Sequence, residues 1–581
     1  MNHFEIEKGE MERNEEEILG EQLWKTCGGG NVEEVQKLLQ NPQVNINWKK
    51  IFGTPLSIAC ENGHIEIVKL LLNDKRIDVN KANNNDATPF YIACQNVHIE
   101  VVKLLLNDQR IDINQAEKSI SVTPFWISCY NGRIQIVKLL LNDERIDINK
   151  ANKMTESPFY VACENGHLEV VKILLSDQRV DINKADYDDT NESDDEYRVD
   201  GKTPFWISCK KEHIEIVKLL LNDKRVDVNK PQSQGTTPFS IACDYEHIEI
   251  VKLLLNDERV DINKANKYDC TPFWIACCRG HMEIVKLLLN DNRVDINKAN
   301  KCNETPFHIA CREGHIEIVK LLLNERVDDI NQADNDGITP FYVACEYGHI
   351  EIVKLLLNDQ RININKSNIG GWTPFCVACQ EGNSEIVELL LNDQRIDVNK
   401  AENDDKTPFY VVCQNGHIEI VKLLLNDQRT DVNKANINDW TPFYVAFYNW
   451  YFEIVKLLLN YNIVDINKPD DTGKIPLFIA CQNGHVEIVK YFLANGRELN
   501  LNAKDNDGKT AIDIVREREK MEIYHWGNQE NFEQRKRNCR MIIELLESFE
   551  RNPNETRTKL RMQLGFAGKS FKIISLYTNR F

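Results

Sequence analysis

One pattern of apolar and polar positions returns along most of this chain. In the copy that begins at Thr407, a short apolar run, Phe409-Tyr-Val-Val-Cys413, gives way to polar Gln414-Asn415-Gly416. A second run follows, Ile418-Glu-Ile-Val-Lys-Leu-Leu-Leu425. Its apolar residues cover a wide helical face, and Glu419 and Lys422 are left for solvent. Asn426-Asp427 interrupts this run, and a polar stretch leads to the next copy. Thr407 is a helix-capping residue, and Pro408 fits the first helical position, where a missing N–H costs nothing. Gly416 tolerates the left-handed conformation that ends a helix. The pattern therefore predicts helix, turn, helix and extended turn in every copy.

The Thr-Pro step marks the period. It stands at Thr54, Thr88, Thr123 and Ser157, and from Thr203 to Ile475 it recurs at a constant 34 residues. A fixed period in this range denotes a solenoid, in which each unit buries its apolar face on its neighbours. Two places break the rule. Between Ser157 and Thr203 the spacing is 46, which leaves 12 extra residues in a strongly acidic stretch near 186–201. They read as a solvated acidic loop, with a docking site for a basic partner or a phosphosite at Ser193 as the sharper alternatives. In the copy at Thr441, Phe447 replaces a cysteine and Trp450-Tyr451-Phe452 replaces Gly-His-Ile. That cluster is either a binding hot spot or local repacking.

The repeated unit resembles the ankyrin repeat, whose pattern runs Thr-Pro-Leu-His-x-Ala-Ala, then Gly-His, then an Ile-Val-x-Leu-Leu-Leu helix. Here Phe usually replaces the Leu and Cys the second Ala. The family's His becomes Tyr91, Trp126, Tyr160, Trp206, Trp274, Tyr342, Tyr410 or Tyr444, and only His308 retains it. The usual 33 residues become 34 because the loop Asn-Asp-x-Arg-Ile-Asp-Ile-Asn is one longer. These exchanges bear on hydrogen bonding between repeats. The resemblance implies an all-α fold: an ankyrin-repeat solenoid of about 15 helix-turn-helix units with β-turn fingers. With the composition of the two ends it gives the expected organisation: an acidic segment at 1–20, an array at 21–549 with a capping repeat near 510–549, and a short basic tail at 550–581. The tail segment from Asn552 to Phe566 reads as a turn and a short helix, either docked on the last repeat or the stub of another module.

Charge narrows the partners. The chain holds 71 basic and 90 acidic residues, a net charge of −19. Such a balance disfavours phosphate backbones and favours proteins with basic patches, so no nucleic acid is expected. The first 20 residues carry seven glutamates and lack the basic and apolar stretches of a secretory signal. No apolar run reaches the length of a membrane span. The expectation is a cytoplasmic monomer, with Arg535-Lys536-Arg537 raising nuclear import as an alternative.

Eighteen cysteines at first look like a disulfide framework. Thirteen of them, Cys27 and Cys60 through Cys481, share one repeat position. Equivalent positions on stacked helices lie about 8–10 Å apart, beyond the roughly 7 Å limit for a disulfide. They are expected to be reduced core residues. The recurring Cys-x-x-x-His, as at Cys60 and His64, imitates a zinc pair but supplies two ligands where a closed site needs four. No cofactor or metal is expected, and no nucleotide loop or nucleophile elbow marks a catalytic centre. The recurring Leu-x5-Asp-Ile/Val-Asn resembles asparagine-hydroxylation sites of ankyrin proteins and is also simply the family's loop.

By resemblance the chain is a non-enzymatic scaffold or adaptor that binds proteins through its concave face and turn tips. The alternative is a recruiting or regulatory subunit whose tail contacts a catalytic partner. The expected binding stripe lies just after each Cys, where residues vary while the core does not: Tyr130, Lys210, Lys211, Tyr245, Arg279, Arg312, Tyr347, Gln380 and Tyr448. Tyr268, Trp372 and Trp440 join it at the turn tips.

Overall fold

The computed structural model describes residues 15–51, 53–186, 201–325, 327–521 and 529–565. Among these residues there are 31 helices and no strand. The acidic insertion with Ser193, and the chain beyond Gly565, lie outside the described residues. The structure divides into two units, 1–296 and 297–581. The first stacks eight helix pairs, from Glu15–Gly28 with Val32–Leu39 to Pro272–Arg279 with Met282–Leu289. The second stacks seven, from Pro306–Arg312 with Ile316–Leu323 to Ala511–Glu519 with Gln529–Arg551. This is the expected all-α ankyrin solenoid architecture.

Each inner helix starts as its sequence requires. Thr407 accepts a hydrogen bond from the N–H of Tyr410, and Pro408 opens the helix Pro408–Asn415. Ile475 stands where a threonine is usual and provides no side-chain cap. Gly416 ends its helix at φ 85°, and a Cβ there would collide with the Tyr451 ring. The repeated cysteines are fully buried and free of disulfides. Burial pushes their thiols well above the ordinary value, as at Cys60, Cys243 and Cys413.

Polar contacts fasten each repeat to the next. Asn80 donates through Nδ2 to the carbonyl of Arg110 at 2.7 Å and accepts the N–H of Asp112 at 2.8 Å. Asn114, Asn149 and Asn229 repeat this two-way bond. The additional loop residue has a structural use. In ten copies the Asp-x-Arg step folds into a fork, for example Arg259 Nη2 to Asp257 Oδ2 at 2.6 Å. The same guanidinium donates to the last carbonyl of the preceding outer helix, Leu221, at 2.6 Å. A cation there also complements the negative end of that helix.

The end of the second unit has its own packing. The helix Pro553–Gln563 rests on the helices Val486–Asn495 and Gln529–Arg551. Leu560 is buried, and Arg561 Nε donates to the carbonyl of Ala494 at 2.9 Å. Of the two tail readings, this segment is docked. Arg540, at the end of the short basic run, pairs with Glu519 at 2.8 Å.

Candidate functional site

The residues that repeat are occupied within the fold. Eight of the histidines that open outer helices reach back to the end of the inner helix of the preceding repeat: His98 Nε2 lies 2.8 Å from the carbonyl of Glu61, and His247 Nε2 lies 3.0 Å from that of Lys210. This is the use of the Cys-x-x-x-His pattern. Among the described residues no three His, Cys, Asp or Glu side chains form a metal-binding group. The exchanged family histidine is also explained. His308 Nε2 faces the carbonyl of Ile338 at 3.1 Å. Trp126 and Trp206 donate their indole N–H groups to the equivalent carbonyls, Glu156 at 2.8 Å and Thr236 at 2.9 Å. Tyr444 instead donates its hydroxyl to Asp470 at 2.7 Å. Different side chains thus bridge the same gap between repeats.

The variable stripe splits into two rows. Residues one after the cysteine end the inner helix and face the fingers. Tyr130 stacks on Trp126 with ring centres 5.1 Å apart, and Tyr448 lies 4.8 Å from Trp440. Arg312 bonds Glu304 at the base of its own finger and Glu313 at 3.1 Å. Gln380 bonds Glu381 at 3.0 Å, and its carbonyl accepts from His417. Residues two after the cysteine stand at or beside the helix end. Tyr245 and Tyr347 stack on His247 and His349 of their own repeats, and both are about half exposed. Lys211 is exposed. The two rows meet where Lys210 Nζ lies 5.6 Å from the Trp206 ring and 5.5 Å from that of Tyr245. Arg279 pairs with Asp244 at 2.7 Å, and that hydrogen bond raises its pKa.

The turn residues need a correction. Tyr268 does sit at a tip, exposed and 4.9 Å beneath Lys267 Nζ. Trp372 and Trp440 do not. Their backbone N–H groups close the turns onto Asn368 and Asn436, each at 2.9 Å, which places both residues at the finger base, and the Trp440 ring lies 4.9 Å from that of Tyr444. The apolar side chains exposed on these two fingers are Ile369 and Ile437. The aromatic cluster at Thr441 is divided. Phe447 is fully buried against Phe443 and Phe492, which is repacking. Trp450 and Phe452 flank His485 and stay partly exposed.

A groove of 620 Å³ in the first unit is the feature that the stripe did not foretell. Its floor comes from the inner helices Pro89–Gln95 and Pro124–Tyr130, and its wall from the three fingers at 83–87, 117–122 and 152–156. A signal existed in the sequence. Thr88 and Thr123 are 35 residues apart rather than 34, and the finger 117–122 holds the extra residue. Ser121 takes φ 59° there, and Ile120 is left exposed. Glu117 replaces the usual asparagine or aspartate of the turn. Its carboxylate accepts the N–H groups of Ser119 at 2.7 Å, Ile120 at 2.9 Å and Val122 at 3.2 Å, and the Ser119 hydroxyl. Burial opposes ionisation, but these donors prevail and hold the carboxyl below its ordinary pKa.

Stacked helix pairs, with fingers that project from them, define an α-solenoid. Seven successive stretches, 23–117, 114–186, 187–266, 258–334, 326–402, 395–470 and 461–517, match the sequence profile described as ankyrin repeats (3 copies). They take up well over half of the chain, which belongs to the ankyrin repeat family. Arrays of this family generally serve as protein–protein interaction modules. No curated protein matches the chain. No helix among the described residues is long and apolar enough to cross a membrane.

Proposed function

We propose that this chain is a scaffold or adaptor that holds partner proteins on its inner-helix ends and fingers. One observation carries the reading. The repeating His, Asn and Asp-x-Arg residues are engaged between repeats, whereas the positions after the cysteines differ from repeat to repeat and remain partly exposed. Several are aromatic or basic, the side chains that anchor interfaces. The chain acts as a monomer in the cytoplasm, and its acidic surface favours partners with basic patches.

Capture of interacting proteins from native lysate, with the full chain as bait, tests this. A Lys210→Ala/Lys211→Ala/Tyr245→Ala variant should lose partners that an outer-helix Lys252→Ala/Lys286→Ala variant retains. The opposite pattern would move the surface to the outer helices and refute the reading. The bait is best left whole. A chain ending at Phe549 would lose Leu560 and Arg561, which cover the last repeats.

A further inference from the structure

We infer that the groove of the first unit receives an extended segment of a partner protein in which an arginine adjoins an apolar residue. The inference deepens the interaction reading and rests on it. Three carboxylates, Glu61, Glu117 and Glu156, line the groove, and none of its described lining residues is basic. Beside them Ile120, Tyr130 and Met154 are 39%, 42% and 56% exposed, an apolar strip across two fingers and a helix end.

The same chain shows which guest fits each half of this surface. Trp126 and Trp206 are equivalent residues of two repeats, and both donate to the carbonyl before the next capping residue. Over Trp206 the chain places its own Lys210. Over Trp126 the equivalent position is Tyr130, so the aromatic surface is extended and no cation from that position covers it. Glu156 and Glu304 are likewise equivalent, each preceding the capping residue of its repeat. Glu304 bonds Arg312 of its own repeat. The equivalent of Arg312 beside Glu156 is Glu164. The Glu156 carboxylate accepts from Asn152 Nδ2 at 2.8 Å. Burial first, then Glu164 and Asp186, raise its pKa, against the Asn152 bond and Lys202, which itself lies 3.4 Å from Asp186.

A guest guanidinium can therefore do at this groove what Lys210 and Arg312 do in their own repeats. It would lie on the exposed face of Tyr130, whose ring stacks on buried Trp126, as a cation on an aromatic ring and donate to Glu156. Its apolar neighbour would cover Ile120 and Met154. The groove suits an extended chain, since its lining residues come from successive repeats.

Selection of short random peptides on the full chain tests this, followed by affinity measurement of the enriched peptides against variants. The expected set places Arg beside Leu, Ile, Phe or Met. Changes Tyr130→Ala, Glu156→Gln and Met154→Ser should each weaken binding about tenfold, the scale of an interface anchor. Met154 is largely exposed, so its change leaves the fold intact and keeps the test valid if another variant misfolds. An acidic or uncharged set overturns the inference, as does an arginine set whose affinity none of the three changes moves, or a selection that enriches nothing. Those failures leave the wider interaction reading standing, because that is decided by lysate capture on Lys210, Lys211 and Tyr245.

Discussion

Removal of one Asp-x-Arg fork measures how the repeats are fastened. Arg429 donates through Nη2 to the Leu391 carbonyl at 2.7 Å and to Asp427 at 2.7 Å, and its Nε lies 3.1 Å from the other Asp427 oxygen. Its side chain is 28% exposed and that of Asp427 15%. An exposed ion pair alone stabilises by less than about 1 kcal/mol. The charged bond to a helix-end carbonyl adds roughly 1 kcal/mol in a partly buried setting. Arg429→Ala should therefore cost about 2 kcal/mol. Lysine has no fork and should recover at most about half of that. The control is Lys422→Ala, which breaks a pair with Glu419 on the exposed face and should cost about 0.3 kcal/mol. Urea unfolding of the full chain gives the overall change, and hydrogen exchange around Leu391 and Ile396 localises it. If Arg429→Ala cost no more than Lys422→Ala, the fork would be surface decoration and the account of the thirty-fourth residue would fail. Acid provides a second reading of the same contact. The side-chain bond from Arg429 lowers the Asp427 pKa, against burial, with a backbone bond assisting. A lowered folded value gives stability that is complete above the unfolded pKa of about 3.9 and is lost as pH falls through the folded one. Loss below about pH 4 should be smaller in Asp427→Asn than in the native chain.

Thr407→Val keeps the shape of the side chain and removes the bond to the Tyr410 N–H, so thermal unfolding should show a loss of about 1 kcal/mol. A thiol-alkylating reagent followed by mass spectrometry should label exposed Cys302 first and leave Cys243, Cys311 and Cys413 unlabelled until urea unfolds the chain. Val97 holds φ 67° where most repeats have glycine. Val97→Gly should stabilise by about 0.5–1 kcal/mol in the same urea titration, because the strain of a β-branched residue there exceeds the added chain entropy.

Much of this protein is legible in its sequence, because each repeat is a local unit. Thr-Pro fixes where a helix starts, the cysteine and leucines fix its buried side, and the constant spacing requires like units to stack. The fold and the thirteen buried cysteines follow from contacts within a repeat and with its neighbours. Other features arise only from side chains brought together across repeats. Arg429 and Leu391 are 38 residues apart, and no spacing rule reveals that the extra loop residue caps the preceding helix. Trp372 and Trp440 directly precede their capping threonines, and the asparagine four residues before each holds its N–H at the finger base, a contact that their aromatic character does not reveal. The groove likewise depends on where one additional finger residue projects Ile120 relative to Trp126 and Met154 of other segments. Periodicity determined which residues are core. The tertiary stack decided which of the remaining polar and aromatic side chains face one another and which face a partner.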